Sequence, residues 1–328
     1  MKIVAMANGG FALPTLKALR ASQHEIVAIV AMPIRAKRQD KKAGIPPIRA
    51  AAVDFLADVP LFDPEDINSP EGVALVKSFD ADLIFICDYG KILSPEVIAA
   101  TRLGGVNLHG SLLPKYRGAA PINRAIEAGE RELGVSVIFI EPKVDAGPIV
   151  AVDSYLPTLD ETAVEIETRL SELGAPLVLK AIDQIESGEI KPLPQNDLEA
   201  TKAPKLRKEE GRLDWSLPSA TLVDKYRAFQ PWPRVYSDWT KADAPDAAPV
   251  RLVLGPFATD DAQTTCEAPS VPSDAAPGTV VAVSKTAFWV KTGDGALAVL
   301  GVQPAGKKQL ASETFLRGYP LKVGDSLR

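Results

Sequence analysis

The sequence predicts a doubly wound α/β domain followed by a smaller β-barrel domain, and three observations carry that expectation. At 328 residues the chain exceeds what one hydrophobic core comfortably holds, so two domains are expected. In the first half, the apolar runs KIVAMA, HEIVAIVAM, ADLIFICDYG, GVNLHG and GVSVIFI alternate with the helical patterns LPTLKALRAS, EGVALVKSF and PINRAIEAGE. Those runs are continuous rather than alternating, as in strands covered on both faces. Toward the C-terminus the texture changes to RVYSDW, VRLVLGPF, GTVVAVS and AFWVKTGDGALAVLGVQ, several short strands within a small span, as in a barrel.

The elements follow in order. A long helical pattern, ETAVEIETRLSELGAPLVLKAIDQIESG, closes the first domain near residue 190. EIKPLPQNDLEATKAPKLRKEEG has little periodicity and reads as a linker, and SATLVDKYRAFQ beyond it reads as one helix. TGDG between two apolar runs signals a hairpin. TDDAQTTCEAPSVPSDAAPG is polar and rich in Pro, Ala and Ser, so a mobile surface loop is expected there.

Composition narrows the function classes. Apolar residues make up 46% and charged residues 24%, the balance of an ordinary soluble protein. No apolar run approaches the ~18 residues that span a bilayer. The opening MKIVAMANGG lacks the apolar core and cleavage site of a signal peptide, so a cytoplasmic protein is expected. Cys87 and Cys266 lie far apart, which speaks against a disulfide framework; with only two histidines, no metal is expected either. A net charge of −5 weighs against an indiscriminate nucleic-acid coat but leaves room for local basic patches.

One of the two histidines, His109, falls just past an apolar strand, and Tyr89 just past another. The crevice beyond the carboxyl ends of strands is where doubly wound sheets bind ligands. Asn107 and His109 are two residues apart, so an extended strand projects them to one side. Asp145 stands on a Gly-containing turn after GVSVIFI and converges with them if the two strands are neighbours. Asn can donate to an oxygen that becomes anionic, and His can move a proton. A carboxylate beside an imidazole holds it and favours its charged form. Such a group suits acyl or one-carbon transfer to an amine without a covalent nucleophile; its alternative is a hydrogen-bonded loop anchor. Ser111 lacks the Gly-x-Ser-x-Gly elbow of a nucleophile. His24, between a helix and a strand, reads as a surface or capping residue. MANGG lacks Gly-x-Gly-x-x-Gly spacing, so dinucleotide binding finds little support.

GVNLHGSLLPKYRGAAPI and the downstream VDAGPIV resemble the signature of the folate-dependent formyltransferases. CDYGKILSPEVI is similar to that family's folate-pocket strand and loop. KAPKLRKEEGRLDWS, RAFQPWP and GDGALAVLGVQPAGKKQL look like the linker and C-terminal domain of the branch acting on charged initiator tRNA. The resemblance covers nearly the whole chain. It implies a Rossmann-like formyltransferase domain over 1–190, a linker over 191–206 and an OB-like tRNA-binding domain over 207–328. The implied reaction moves the formyl group of 10-formyltetrahydrofolate to the α-amine of methionine on initiator tRNA, for initiation of translation, in a monomer. By position Asn107, His109 and Asp145 are the catalytic residues, with Asn107 and His109 stabilising the oxyanion and Asp145 orienting His109. Tyr89, Gly90, Ser111, Leu112, Leu113 and Pro114 would shape the folate pocket. Arg35, Arg38, Lys41, Lys42, Lys205, Arg207, Lys307 and Lys308 would meet tRNA phosphates, which position the tRNA without reading its sequence.

The chain departs from the family's usual pattern in three places. ANGGFA stands where Gly-Thr-Pro-Asp/Glu-Phe-Ala is common, retaining only Phe11 and Ala12. Gln39 occupies the usual Arg position of the basic loop, with Arg38 and Asp40 in place of flanking glycines. Pro148 replaces the Asp usual in the tRNA enzymes, a variant similar to the UDP-sugar formyltransferase branch. Three functions therefore stand side by side: a tRNA formyltransferase, a sugar-nucleotide formyltransferase, and a tRNA- or folate-binding module without activity. The complete trio argues against the last.

Overall fold

The computed structural model describes residues 1–34, 45–258 and 272–328. Arg35, Arg38, Gln39, Asp40, Lys41 and Lys42 of the basic loop, Cys266, and most of the expected surface loop lie outside the described residues. The chain divides into two compact units.

In the first unit β1 (Lys2–Ala7), α1 (Leu13–Arg20), β2 (Glu25–Val30), α2 (Pro47–Val53), β3 (Leu61–Phe62), α3 (Pro70–Ser78), β4 (Leu83–Cys87), α4 (Pro95–Ile98) and β5 (Gly105–His109) succeed one another. A two-residue strand, β6 (Arg117–Gly118), and α5 (Pro121–Glu127) lead to β7 (Leu133–Phe139) and β8 (Ile149–Tyr155). The seven-stranded sheet has the order β3-β2-β1-β4-β5-β7-β8. Its first five strands are parallel; β7 pairs antiparallel with β5, and β8 antiparallel with β7. β1, β4 and β7 are almost wholly buried, which is why they read as unbroken apolar runs. The strand order reverses between β1 and β4, so the crevice of this sheet opens beyond Ala7 and Cys87.

A 25-residue helix, α6 (Ala163–Ser187), packs on β5. Gly174 makes the approach possible: a Cβ there would come 2.7 Å from Leu108 Cδ2. Residues 191–205, within the 191–206 stretch expected as a linker, group with this unit. Leu193 exchanges two 2.8 Å backbone hydrogen bonds with Ile149, and β9 (Lys202–Ala203) pairs with β6.

The second unit gathers residues 206–328 with two segments from earlier in the chain, 123–130 and 159–164. Side-chain bonds explain the grouping. Asn123 Nδ2 donates to the Ala228 carbonyl at 2.6 Å, Arg227 Nε donates to the Glu161 carbonyl at 2.8 Å, and Arg124 grips both oxygens of Glu210 at 2.9 and 3.0 Å. Here α7 (Ser219–Ala228) precedes β10 (Tyr236–Thr240), β11 (Val250–Leu254), β12 (Val280–Val283), β13 (Phe288–Lys291) and β14 (Ala296–Val299). Then come β15 (Gly301–Pro304), β16 (Leu310–Ala311), α8 (Ser312–Gly318) and β17 (Ser326–Leu327). TGDG turns β13 into β14, with Lys291 opposite Ala296.

Among the described residues these strands form a separate, smaller β-sheet domain, a five-stranded sheet β16-β15-β11-β10-β17 and a three-stranded sheet β12-β13-β14, where the sequence led us to expect an OB-like barrel. Isolated bridges at Phe257–Val299 and Thr279–Ser326 connect them. Among the described residues no helix is long and apolar enough to cross a membrane.

Candidate active site

Leu108 faces α6, so Asn107 and His109 on either side of it face the opposite way. Asp145 reaches them from the β7–β8 connection, at a left-handed φ of 49°. Asn107 Nδ2 donates to Asp145 Oδ1 at 3.4 Å, and the Gly118 N–H donates to Oδ2 at 2.8 Å. His109 Nδ1 lies 3.6 Å from the same Oδ2, while its Nε2 meets the Tyr116 carbonyl at 3.0 Å. A carbonyl only accepts, so Nε2 carries the proton and Nδ1 is the nitrogen turned toward the carboxylate. The His109 side chain is 6% exposed and that of Asp145 15%. The structure thus brings the three expected residues, an imidazole, an amide and a carboxylate, together at the carboxyl end of β5.

The neighbouring turn is built to supply backbone groups. Tyr116 has φ 62° and Gly118 φ 128°. A Cβ at position 118 would lie 2.6 Å from the Ala203 carbonyl oxygen, so only glycine lets that N–H reach Asp145. The Ser111 hydroxyl donates to the Lys115 carbonyl at 2.7 Å and is tied into the turn. Ser136, missed from sequence, receives the Leu113 N–H at 3.1 Å and donates to the Ser111 carbonyl at 2.7 Å. Gln195 was also missed: its Nε2 donates to the carbonyls of Asp145 at 2.9 Å and Gly147 at 2.7 Å. Its Oε1 accepts from Arg117 Nε and Nη2 at 2.9 and 2.7 Å. Nothing in the aperiodic stretch around Gln195 signals this.

The residues expected at the folate pocket fall in and around the crevice. Tyr89 is buried among Val97, Leu93 and Ile84, and burial pushes its phenol up to about 12. Gly90, at φ 83°, borders open space. Ser111 and Leu113 have buried side chains, while Leu112 and Pro114 are half-buried. On the β1 side, Asn8 Oδ1 accepts from the Met32 N–H at 3.1 Å. The Asp88 carboxylate lies against Gly9, where a Cβ would come 1.8 Å from Oδ2. Burial raises the Asp88 carboxyl above its ordinary range, against the opposing pull of the Gly9 N–H. ANGG therefore has a local reason for its second-last glycine: Asp88 occupies the space of a side chain.

Other expected residues stand apart from this group. His24 is not on the surface but buried, with Nε2 donating to Asp183 at 3.1 Å and Nδ1 accepting from the Met1 nitrogen at 3.2 Å. His24, Asp183 and Glu186 bring one ligand atom each within 4.8 Å of one another, so the described residues do hold one grouping of metal-ligand type. Lys205 is exposed on the first unit; Arg207, Lys307 and Lys308 are exposed on the second.

Fold and site together define an α/β enzyme with its polar group at the carboxyl ends of the central strands. The chain belongs to the formyl transferase family: residues 1–182 match the family described as Formyl transferase, and residues 205–320 match Formyl transferase, C-terminal domain. It is a formyltransferase. It is 36% identical to the methionyl-tRNA formyltransferase of Moorella thermoacetica, over 100% of this chain and 99% of that one. It is 35% identical to that of Rhodopirellula baltica, over 100% of this chain and 96% of the relative. Among solved structures it resembles an N-formyltransferase from Helicobacter canadensis in complex with folinic acid and dTDP-3-aminofucose. That likeness has a TM-score of 0.62 at 14% identity, covering 92% of this chain and 98% of the other.

Proposed function

We propose that the chain transfers the formyl group of 10-formyltetrahydrofolate to the α-amine of methionine on initiator tRNA. The observation that carries this reading is the whole-length match to methionyl-tRNA formyltransferases, second unit included. The gathering of Asn107, His109 and Asp145 supports the chemistry. The amine attacks the formyl carbon. One Asn107 Nδ2 proton goes to Asp145, leaving the other for the oxygen that becomes negative. His109, anchored through Nε2, presents Nδ1 beside Asp145, so the pair can accept the proton the amine loses and return it to folate N10 as the carbon–nitrogen bond breaks. Tyr89, Gly90 and the 111–114 turn flank the donor, and the exposed Lys205, Arg207, Lys307 and Lys308, with the basic loop at 35–42, meet tRNA phosphate.

A second reading, transfer to a sugar-nucleotide amine, is favoured by Pro148 in VDAGPIV. One assay separates the two. The protein is incubated with 10-formyltetrahydrofolate and either charged initiator tRNA or a UDP-amino sugar, and formyl incorporation is followed. Formylation of the tRNA alone is expected. A modified sugar beside unmodified tRNA overturns the proposal.

A further inference from the structure

The segment 191–203 crosses both turns that carry the site. Leu193 pairs with Ile149 beyond the Asp145 turn. Asp197 accepts from Lys143 Nζ at 2.6 Å and from Arg117 Nη1 at 2.7 Å. The Arg117 N–H donates to the Thr201 carbonyl at 2.9 Å, and the Tyr116 N–H donates to Thr201 Oγ1 at 2.8 Å. Gln195 stands at the centre of this strap. Both of its amide protons go to carbonyls of the Asp145 turn, and its oxygen takes two donors from Arg117. The amide has one workable orientation. Turned over, its NH2 would face a guanidinium, which has only donors, and its oxygen would face two carbonyls, which only accept.

The turn needs such a clamp. Asp145 holds a left-handed backbone that L-residues adopt reluctantly, and the carbonyls to which Gln195 donates, on residues 145 and 147, bracket that bend. The other end of the clamp is Arg117, next to Gly118, whose N–H holds the Asp145 carboxylate. Gln195 thus joins the two turns whose separation sets where that carboxylate points.

We infer that Gln195 is a positioning residue for formyl transfer, fixing the Asp145 turn so that the carboxylate stays between Asn107 and His109. This rests on the reading of those three residues as the reacting group. Gln195→Glu tests it, because the isosteric change keeps the acceptor for Arg117 and removes both donors to the turn. The kcat of formyl transfer is expected to fall between about 10- and 100-fold, the scale of a catalytic group misplaced by an ångström, with KM for the folate donor within about threefold. Lys143→Ala, which removes an exposed contact of the same strap, is expected to stay within about twofold of wild type.

The second readout is spectroscopic. The chain has two histidines, so 15N-histidine labelling yields two imidazoles; Gln195→Glu is expected to shift the resonances of His109 and leave those of His24 in place. If Gln195→Glu does not fold, Gln195→Met, which deletes all four hydrogen bonds at similar length, serves in its place. A variant with wild-type kcat per folded molecule and an unmoved His109 spectrum overturns the inference, even if its Tm has dropped. The underlying reading fails separately: His109→Ala would then remain active. Inactive His109→Ala beside fully active Gln195→Glu leaves the reading intact and removes only Gln195.

Discussion

The chain's two histidines lie at opposite ends of one sheet, and both are buried. His24 precedes β2 at the amino end, and His109 closes β5 at the carboxyl end. Each has a carboxylate beside it. The difference lies in how their nitrogens are used. At His24 both are engaged in hydrogen bonds near 3.1 Å, by groups that close around the ring. At His109 Nε2 is bonded to a carbonyl; Nδ1 faces Asp145 across 3.6 Å, and that carboxylate is itself steadied by Asn107 and Gly118. Burial and a neighbouring acid therefore do not by themselves mark a reactive histidine. The role proposed for His109 rests instead on a nitrogen that faces a carboxylate held by two other donors.

The largest expected effect breaks the comparison at His109. His109→Ala is expected to lower kcat of formyl transfer by at least about 100-fold, the scale of a lost general acid or oxyanion donor. Steady-state kinetics with saturating donor check it, and near-normal turnover would take His109 out of the mechanism.

The matching change at the other end acts on folding. His24→Ala removes a buried ring and strands its partners, and it is expected to cost about 1–3 kcal/mol in a urea titration. Its kcat is expected to stay within about twofold of wild type, as for a substitution remote from the chemistry. A deep loss of kcat at unchanged stability would erase the distinction between the two histidines.

The smallest effect concerns the wall of the crevice. Burial raises the folded Tyr89 phenol to about 12, above the ~10 of an exposed tyrosine. A pKa raised on folding contributes stability that is whole below the unfolded value and lost as pH climbs through the folded one. Tyr89→Phe should therefore flatten the decline of stability between about pH 10 and pH 12. Parallel curves for the two proteins over that window would mean the phenol is not held neutral by the fold.

What could be read from sequence followed from local rules. β1, β4 and β7 are buried on both faces, so their runs are apolar throughout; β8 exposes Val152 and Asp153 and mixes polar with apolar residues, so it escaped notice. The long amphipathic pattern of α6 was legible in the same way. The membership of 123–130 in the second unit was not, because it depends on Arg124 finding Glu210 86 residues away. At the site, Asn107 and His109 were legible because two-residue spacing places side chains together on a strand. Gln195 was hidden because its partners are backbone carbonyls 48 and 50 residues distant, which leave no trace in residue identity.

The central claim, that the donor binds beside His109 at the carboxyl end of β5, can be tested by one titration. Folinic acid, a stable analogue of the formyl donor, is added to 15N-histidine-labelled protein while both imidazoles are observed. The His109 resonances are expected to move in proportion to saturation while those of His24 stay fixed. Saturable binding that leaves His109 unmoved, or that moves His24 instead, would contradict it.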